Sequence, residues 1–454
     1  MPFIATNPAT GERIAEYPAH TPEQVQARLE LAASSFRQWR ETPISRRAAL
    51  MRTAAELIEG EIPVIAALMT AEMGKTFAAA KGEAFKCAAT MRYFADNAET
   101  FLAPEVVATS AKRSGVRFDP VGPILAIMPW NFPLWQVIRF SAPTIMAGNV
   151  VLLKHAPNVP GSALYIEELF TRAGFPAGIM TNLFVEVDAI EGIIADSRVV
   201  GVTLTGSERA GRSVAALAGA HLKKCVLELG GSDPFIVGAH ADLDAAVPMA
   251  VTARVQNNGQ ACIASKRFIV VRERADEFIS RFSEAMAAVP TGDPMDPSTV
   301  LGPIVSASQF NQLAEQVSSS VKAGAVVHAG GAPLEGEGYF YPATVLTDVP
   351  SDSRAGCEEL FGPVAVVHVA EDLAAAIALA NATPWGLGGS IWSTDDAEID
   401  AAVAGLDVGV VFANAVVASM PELPFGGTKN SGFGRELSVY GIKEFTNIKS
   451  YYVA

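Results

Sequence analysis

The sequence predicts an α/β protein built on parallel sheets, and three observations carry that expectation. From Gly122 onward short apolar runs alternate with helical periods: GPILAIM, a helix near 135 to 147, NVVLLK, a helix near 160 to 173, then NLFVEV, VGVTLT and KCVLEL, the last two separated by a helix starting near Ser207. Strand, helix and strand at this spacing build a parallel sheet covered on both faces. A second alternating region runs from PFIVG at 234 through FIVVRE, GPVAVVHVA, GGSIWST and VGVVFANA, and predicts a second α/β domain. Finally, 454 residues exceed the length over which one hydrophobic core keeps growing, so two or three domains are expected.

The first segment, MPFIATNPATGERIAEY, lacks the basic flank and apolar stretch of a secretory leader. Residues 21 to about 100 read as helices. Thr21, Pro22 and Gln24 form the pattern of a capping box with proline at the first helical position, and Val25, Leu29, Ala32, Phe36 and Trp39 follow at spacings of four and three. That spacing predicts one buried face. The segment 104 to 120 is less periodic and suits an extended hairpin or arm, and the chain ends in GIKEFTNIKSYYVA, whose last residues read as an aromatic-rich strand.

Composition excludes several classes of function. Half the residues are apolar and 18% are charged, which suits a globular enzyme rather than a disordered chain. A net charge of −14 argues against a nucleic-acid partner, which needs a basic face. Cys87, Cys225, Cys262 and Cys357 form no CxxC pair, so neither a disulfide framework nor a metal site is expected. Nowhere do 18 apolar residues run unbroken, and a soluble cytoplasmic protein without membrane contact is expected.

Cys262 sits in QNNGQACIASKR, among small and amide side chains. Packing, metal ligation, a disulfide or nucleophilic attack would each require different neighbours. A histidine-activated hydrolase is disfavoured because none of the six histidines lies in a recognisable partner motif. Three other stretches could serve the thiol. LELGGSDP ends a strand with Glu228 beside paired glycines; it is a solvated acid or, if buried, a general base near neutral pH. WNFP supplies Asn131, whose amide either caps the following helix or donates to a developing oxyanion. Lys154 ends VVLLK as a solvated lysine or a cofactor contact. TGSERAG places Ser207 where it can cap a helix whose N-terminus suits a pyrophosphate, although an ordinary glycine turn looks the same; no GxGxxG follows the first strand.

In order along the chain, PWNFPLW, NVVLLKHAP, TGSERAG, LELGGSDP, NGQACIASKR, EELFGPV and PFGGTKNSGFGRE resemble the blocks of the aldehyde dehydrogenase superfamily over essentially the whole length. The resemblance implies that family's fold: a Rossmann-like dinucleotide-binding domain (residues 1–103 and 121–228), an α/β catalytic domain (229–432) and a small oligomerisation arm (104–120 and 433–454), with a homodimer or homotetramer as the assembly. It implies that Cys262 attacks an aldehyde, that Asn131 and the Cys262 backbone N–H hold the oxyanion, and that Glu228 activates water on the thioester. Trp130, Lys154, Pro157, Gly206, Ser207, Gly211, Leu229, Glu359 and Phe361 match positions around the dinucleotide.

Within the superfamily, two departures shape cofactor and substrate. Pro157 occupies a position where NAD-preferring relatives often carry a glutamate that repels a 2′-phosphate, so with Lys154 and His155 nearby NADP is favoured over NAD. WNFPLWQVIRF, KHAPNV and QNNGQACIASKR resemble the shorter bacterial succinate-semialdehyde dehydrogenases. Arg139 matches an arginine that faces the substrate carboxylate there, unless it lies in an interhelix salt bridge, and Ser419 matches a loop position that can bond the same group. Gln256 stands where some relatives place a second arginine. The alternatives are an aldehyde dehydrogenase of broader specificity, an enzyme passing the acyl group to coenzyme A, for which Glu228 would be superfluous, and a non-catalytic scaffold.

Overall fold

The computed structural model describes residues 2–454. An antiparallel hairpin, Phe3–Thr6 with Arg13–Tyr17, precedes four helices: Pro22–Trp39, Ile44–Gly60, Ile62–Met73 and Phe77–Phe101. The first starts as its sequence requires. Thr21 Oγ1 accepts from Gln24 N at 3.3 Å while Gln24 Oε1 accepts from Thr21 N at 2.8 Å, and Pro22 occupies the first turn. Val25, Leu29, Ala32 and Trp39 are buried; Phe36 is half-exposed, with the Arg40 guanidinium 5.3 Å from its ring centroid. The long helix Phe77–Phe101 packs between Ile44–Gly60 and Trp135–Met146 and carries Glu83 and Cys87 into the interior, with Lys86 half-buried.

Six strands form the first sheet, in the order Gly432–Phe433, Lys224–Glu228, Gly201–Thr205, Pro123–Ile127, Val150–Lys154 and Met180–Asn182. All but the first run parallel. VVLLK and GVTLT are buried throughout, as strands covered on both faces must be. After Pro123–Ile127 the chain builds outward on one side through the next two strands, then crosses back to add Gly201–Thr205 and Lys224–Glu228 on the other. That reversal creates a crevice at the carboxyl ends of Pro123–Ile127 and Gly201–Thr205, where such sheets bind ligands.

NLFVEV is less regular than its apolar run suggests. Only Met180–Asn182 is strand; Leu183 N still donates to the Leu153 carbonyl at 2.7 Å, but the Phe184 N–H and carbonyl are taken by His20, so Phe184 and Val185 are buried outside the ladder. Phe184 instead packs on Phe3 and Tyr17 of the N-terminal hairpin.

The second sheet has seven strands, ordered Val326–Ala329, Thr344–Thr347, Val364–Ala370, Arg267–Val271, Pro234–Val237, Gly388–Trp392 and Val410–Ala413; the first pair alone is antiparallel. A third, small sheet pairs Arg113–Pro120 with Thr446–Val453 in full register, Thr446 opposite Pro120 and Val453 opposite Arg113. Thus the segment near 104 to 120 and the last residues of the chain meet, exposing Val106, Ile448 and Tyr452. No helix among the described residues is long and apolar enough to cross a membrane.

Candidate active site

Cys262 lies in a loop held by its own amide side chains. After the helix Leu243–Val255, residues Asn257 (φ 53°), Asn258 (φ 59°) and Gly259 (φ 71°) take three successive left-handed conformations, which asparagine and glycine tolerate best. Asn257 Nδ2 donates to the Asn131 carbonyl at 2.8 Å. Asn258 Nδ2 donates to the Gly74 and Pro303 carbonyls at 2.8 and 3.1 Å, and its Oδ1 accepts from Gly302 N at 2.9 Å. On the other side Lys266 Nζ donates to the carbonyls of Ala261 and Cys262 and pairs with Glu359 at 3.2 Å. QNNG and SK are therefore the anchors of the loop. The thiol itself forms no hydrogen bond among the described residues.

Asn131 reaches this loop from the first sheet. Its Nδ2 donates to the Gln260 carbonyl at 3.0 Å, two residues before the cysteine, which leaves one amide hydrogen free. It does not cap the following helix. That task falls to Glu83, whose Oε1 accepts from Leu134 N and Trp135 N, both at 2.8 Å, while its other oxygen pairs with the buried Lys75. A carboxylate at this N-terminus satisfies two orphan N–H groups and the helix dipole together.

Glu228 ends the strand Lys224–Glu228 and is 2% exposed, and its Oε1 has no hydrogen-bond partner. Burial, reinforced by the neighbouring Glu436 carboxyl, pushes its pKa well above the usual carboxylate range; the Arg139 and Arg435 charges pull the other way. Gly426 makes room for it: a Cβ there would stand 2.8 Å from Glu228 Oε1, and its φ of +157° favours glycine.

Arg139 departs from the sequence expectation. It is buried in the helix Trp135–Met146 with its guanidinium committed to Glu436, a second donor to Thr205 Oγ1 at 3.4 Å, and the Phe425 ring 4.8 Å away. A buried carboxylate across the site claims the charge that a substrate would need, so the salt-bridge alternative describes this arginine. Ser419 is also buried, and its Oγ accepts from Lys86 Nζ at 2.8 Å.

The residues matched to the dinucleotide gather at the crevice where strand order reverses. Trp130 follows Pro123–Ile127 and meets Phe361 edge-on at 5.6 Å. Lys154 is the last residue of Val150–Lys154, largely buried, its pKa lowered by that burial, and Pro157 stands exposed just beyond. Gly206 follows Gly201–Thr205, its N–H donating to the Glu228 carbonyl at 3.0 Å. Ser207 caps the helix Glu208–Ala220, its Oγ accepting from Ala210 N at 3.3 Å. Gly211 lets Leu229 lie flat on that helix, since a Cβ there would stand 2.6 Å from Leu229 Cδ1. Glu359 accepts from Gly231 N at 3.2 Å, and its salt bridge to Lys266 links the crevice to the cysteine loop. A helix N-terminus, a lysine and an aromatic pair around one switch point fit a dinucleotide. His155 contributes nothing there: it is buried, its Nε2 bonds the Pro133 carbonyl at 2.8 Å, and desolvation lowers its pKa to about 4, so it is neutral.

Burial pushes the Cys262 thiol up to about 11, with Arg139 and Lys266 opposing. No histidine offsets this; His240, the nearest in sequence, lies exposed against Glu398 at 3.2 Å. Alkylation of Cys262 by iodoacetamide in the cofactor-free protein should therefore accelerate roughly tenfold per pH unit up to about pH 10, since only the thiolate reacts. A rate already level by about pH 8 would contradict this electrostatic picture.

Four charged residues of the site escaped the sequence. Glu436 sat in view within GFGRE; Lys266 in ASKR could be read only with the loop's carbonyls in place; Glu83 and Lys86 lie in a helix whose sequence carries no motif.

The Aldehyde dehydrogenase family model matches residues 2–451. Over 457 aligned positions covering all of both chains, the sequence is 51% identical to succinate-semialdehyde dehydrogenase (NADP+) 1 of Mycobacterium ulcerans and 50% identical to its namesake in Mycobacterium tuberculosis. Among solved structures, succinic semialdehyde dehydrogenase from Streptococcus pyogenes in complex with NADP+ superposes with a TM-score of 0.97 at 38% identity, covering 99% of each chain. An NAD-dependent aldehyde dehydrogenase from Sinorhizobium meliloti reaches 0.97 at 31% identity, over 100% of this chain and 91% of that one.

Proposed function

Because the chain belongs to the aldehyde dehydrogenase family, we propose that it oxidises succinate semialdehyde to succinate with NADP as the preferred cofactor and NAD as the lesser one. The observations that carry the chemistry are an unbonded thiol on a loop tied to Asn131 and a buried carboxyl whose Oε1 has no partner, both in the field of Arg139. The substrate rests on half-identity over full length to enzymes bearing that name.

In this mechanism Cys262 Sγ adds to the aldehyde carbon, and the free Nδ2 hydrogen of Asn131 with the Cys262 backbone N–H holds the oxyanion. NADP, when bound, supplies the hydride acceptor. Trp130, Lys154, Pro157, Gly206, Ser207, Gly211, Leu229, Glu359 and Phe361 hold and orient it. Glu228 then takes a proton from the water that cleaves the thioester, and its raised pKa makes it, once ionised, a stronger base than an ordinary carboxylate. Residues 1–103 and 121–228 serve cofactor binding, 229–432 catalysis, and 104–120 with 433–454 assembly of a homo-oligomer through the exposed apolar arm. Four unpaired cysteines suit a reducing cytoplasm.

The test is a matrix of kcat/KM values for succinate semialdehyde, propanal and butanal with each cofactor. Succinate semialdehyde with NADP should lead; equal values across the aldehydes would remove the substrate while leaving the reaction class. Pro157→Glu should lower kcat/KM for NADP by about 10- to 100-fold and spare NAD, because a carboxylate there faces the 2′-phosphate.

A further inference from the structure

A four-carbon aldehyde acid presents a carboxylate that must meet a cation if the enzyme is to prefer it over a neutral aldehyde. The sequence offered Arg139, which the fold commits to Glu436, and Gln256 carries no charge. Of the buried lysines, Lys75 is matched by Glu83 and Lys266 by Glu359 and two carbonyls, while Lys154 lies at the dinucleotide crevice. Lys86 differs. It projects from the helix Phe77–Phe101 with its Nζ 4.1 Å from the centroid of Trp135, the first residue of the helix that follows Asn131. The same Nζ donates to Ser419 Oγ at 2.8 Å, and no carboxylate lies within 4.0 Å of it among the described residues. An ammonium has three hydrogens, so two remain for a ligand. Its electrostatic partners include Arg139 and Cys262, which places it in the field of the reacting centre.

We infer that Lys86 and Ser419 together form the subsite for the substrate's distal carboxylate, with Lys86 the specificity-determining cation. The inference rests on the semialdehyde substrate proposed above. Trp135 forms the apolar wall that holds the ammonium in place, and Ser419 turns its hydroxyl hydrogen toward the same ligand while accepting from Lys86. Arg139, paired with Glu436 through Nε, adds its charge to the same field.

A pH signature follows from the same surroundings. Burial and the nearby Arg139 charge draw the Lys86 ammonium down to about 8, against smaller opposing effects of Cys87, Glu83 and Cys262. KM for the acid aldehyde should therefore climb above pH 8 in the wild type as the cation is lost, and stay level there in Lys86→Arg, whose guanidinium keeps its charge.

The experiment compares succinate semialdehyde with butanal, its uncharged analogue of equal length, at saturating NADP. In Lys86→Met the ratio of kcat/KM for the acid over butanal should fall by about 30-fold, with the loss in KM rather than kcat, as expected for one charge-assisted contact. Lys86→Arg should restore most of the ratio, and Ser419→Ala should lower it several-fold, a second variant that removes only one oxygen. NADP binding by each variant, followed by nucleotide fluorescence, reports that the fold is intact. A ratio unchanged in both Lys86→Met and Ser419→Ala, in a wild type that prefers the acid, overturns the subsite alone. A wild type with no preference for the acid overturns the substrate and the subsite together.

Discussion

Cys262→Ala is expected to abolish aldehyde oxidation, lowering kcat by at least about 10⁴-fold, while the protein folds and binds NADP as before. The thiol makes no hydrogen bond of its own, and the loop around it is fixed by Asn257, Asn258 and Lys266, so removing Sγ takes away the nucleophile and little else. None of the other cysteines is placed to substitute. Cys87 is fully buried in the helix Phe77–Phe101, where burial and the Glu83 charge hold its thiol well above the ordinary range. Cys225 lies on the strand that ends in Glu228, also raised by burial, and Cys357 is exposed near the far edge of the second sheet. Steady-state reduction of NADP at 340 nm checks the activity, and a binding titration with NADP checks the fold. Retained turnover above about one part in a thousand would mean that attack does not come from Cys262.

Glu228→Gln should separate the two halves of the reaction. Acylation of Cys262 proceeds without a base acting on water, so one equivalent of reduced cofactor per chain should form quickly, followed by turnover slowed by about 10³-fold. The amide keeps the shape of the side chain and removes the carboxyl whose pKa burial and Glu436 raise. The pH dependence follows in sign. A carboxyl acts as base only when ionised, so in the wild type thioester hydrolysis should rise with pH through the raised Glu228 pKa and then level off, whereas in Glu228→Gln that limb should vanish. Stopped-flow absorbance resolves burst from steady state. Absence of a burst in the variant, with both phases slowed alike, would place Glu228 in acylation instead.

The alternating strands of both sheets and the capping box at Thr21 could be read from the sequence because each rests on local chemistry, period and side-chain caps, whereas the left-handed turn at Asn257 and Asn258 that carries Cys262 could not. NLFVEV could not, since a run of apolar residues does not reveal that the Phe184 backbone bonds to His20, 164 residues earlier, instead of to the sheet. Arg139 shows a second kind of limit. Its spacing from Asn131 matched a substrate-binding arginine, but its partner Glu436 comes 297 residues later and only the folded chain brings the two together. Lys86 was hidden for the opposite reason: a lysine on a helix is ordinarily a solvated residue, and only the Trp135 ring and Ser419 around it mark it as a cation waiting for an anion.

Oxidation of succinate semialdehyde through Cys262 requires a covalent acyl intermediate on that residue. The most direct measurement is acid quenching of Glu228→Gln after one turnover with succinate semialdehyde and NADP, followed by mass mapping of its peptides. A hydroxylamine-sensitive succinyl thioester is expected on the peptide bearing Cys262, equal in amount to the reduced cofactor formed. Reduced cofactor without that adduct, or the adduct on Cys87, Cys225 or Cys357, would contradict it.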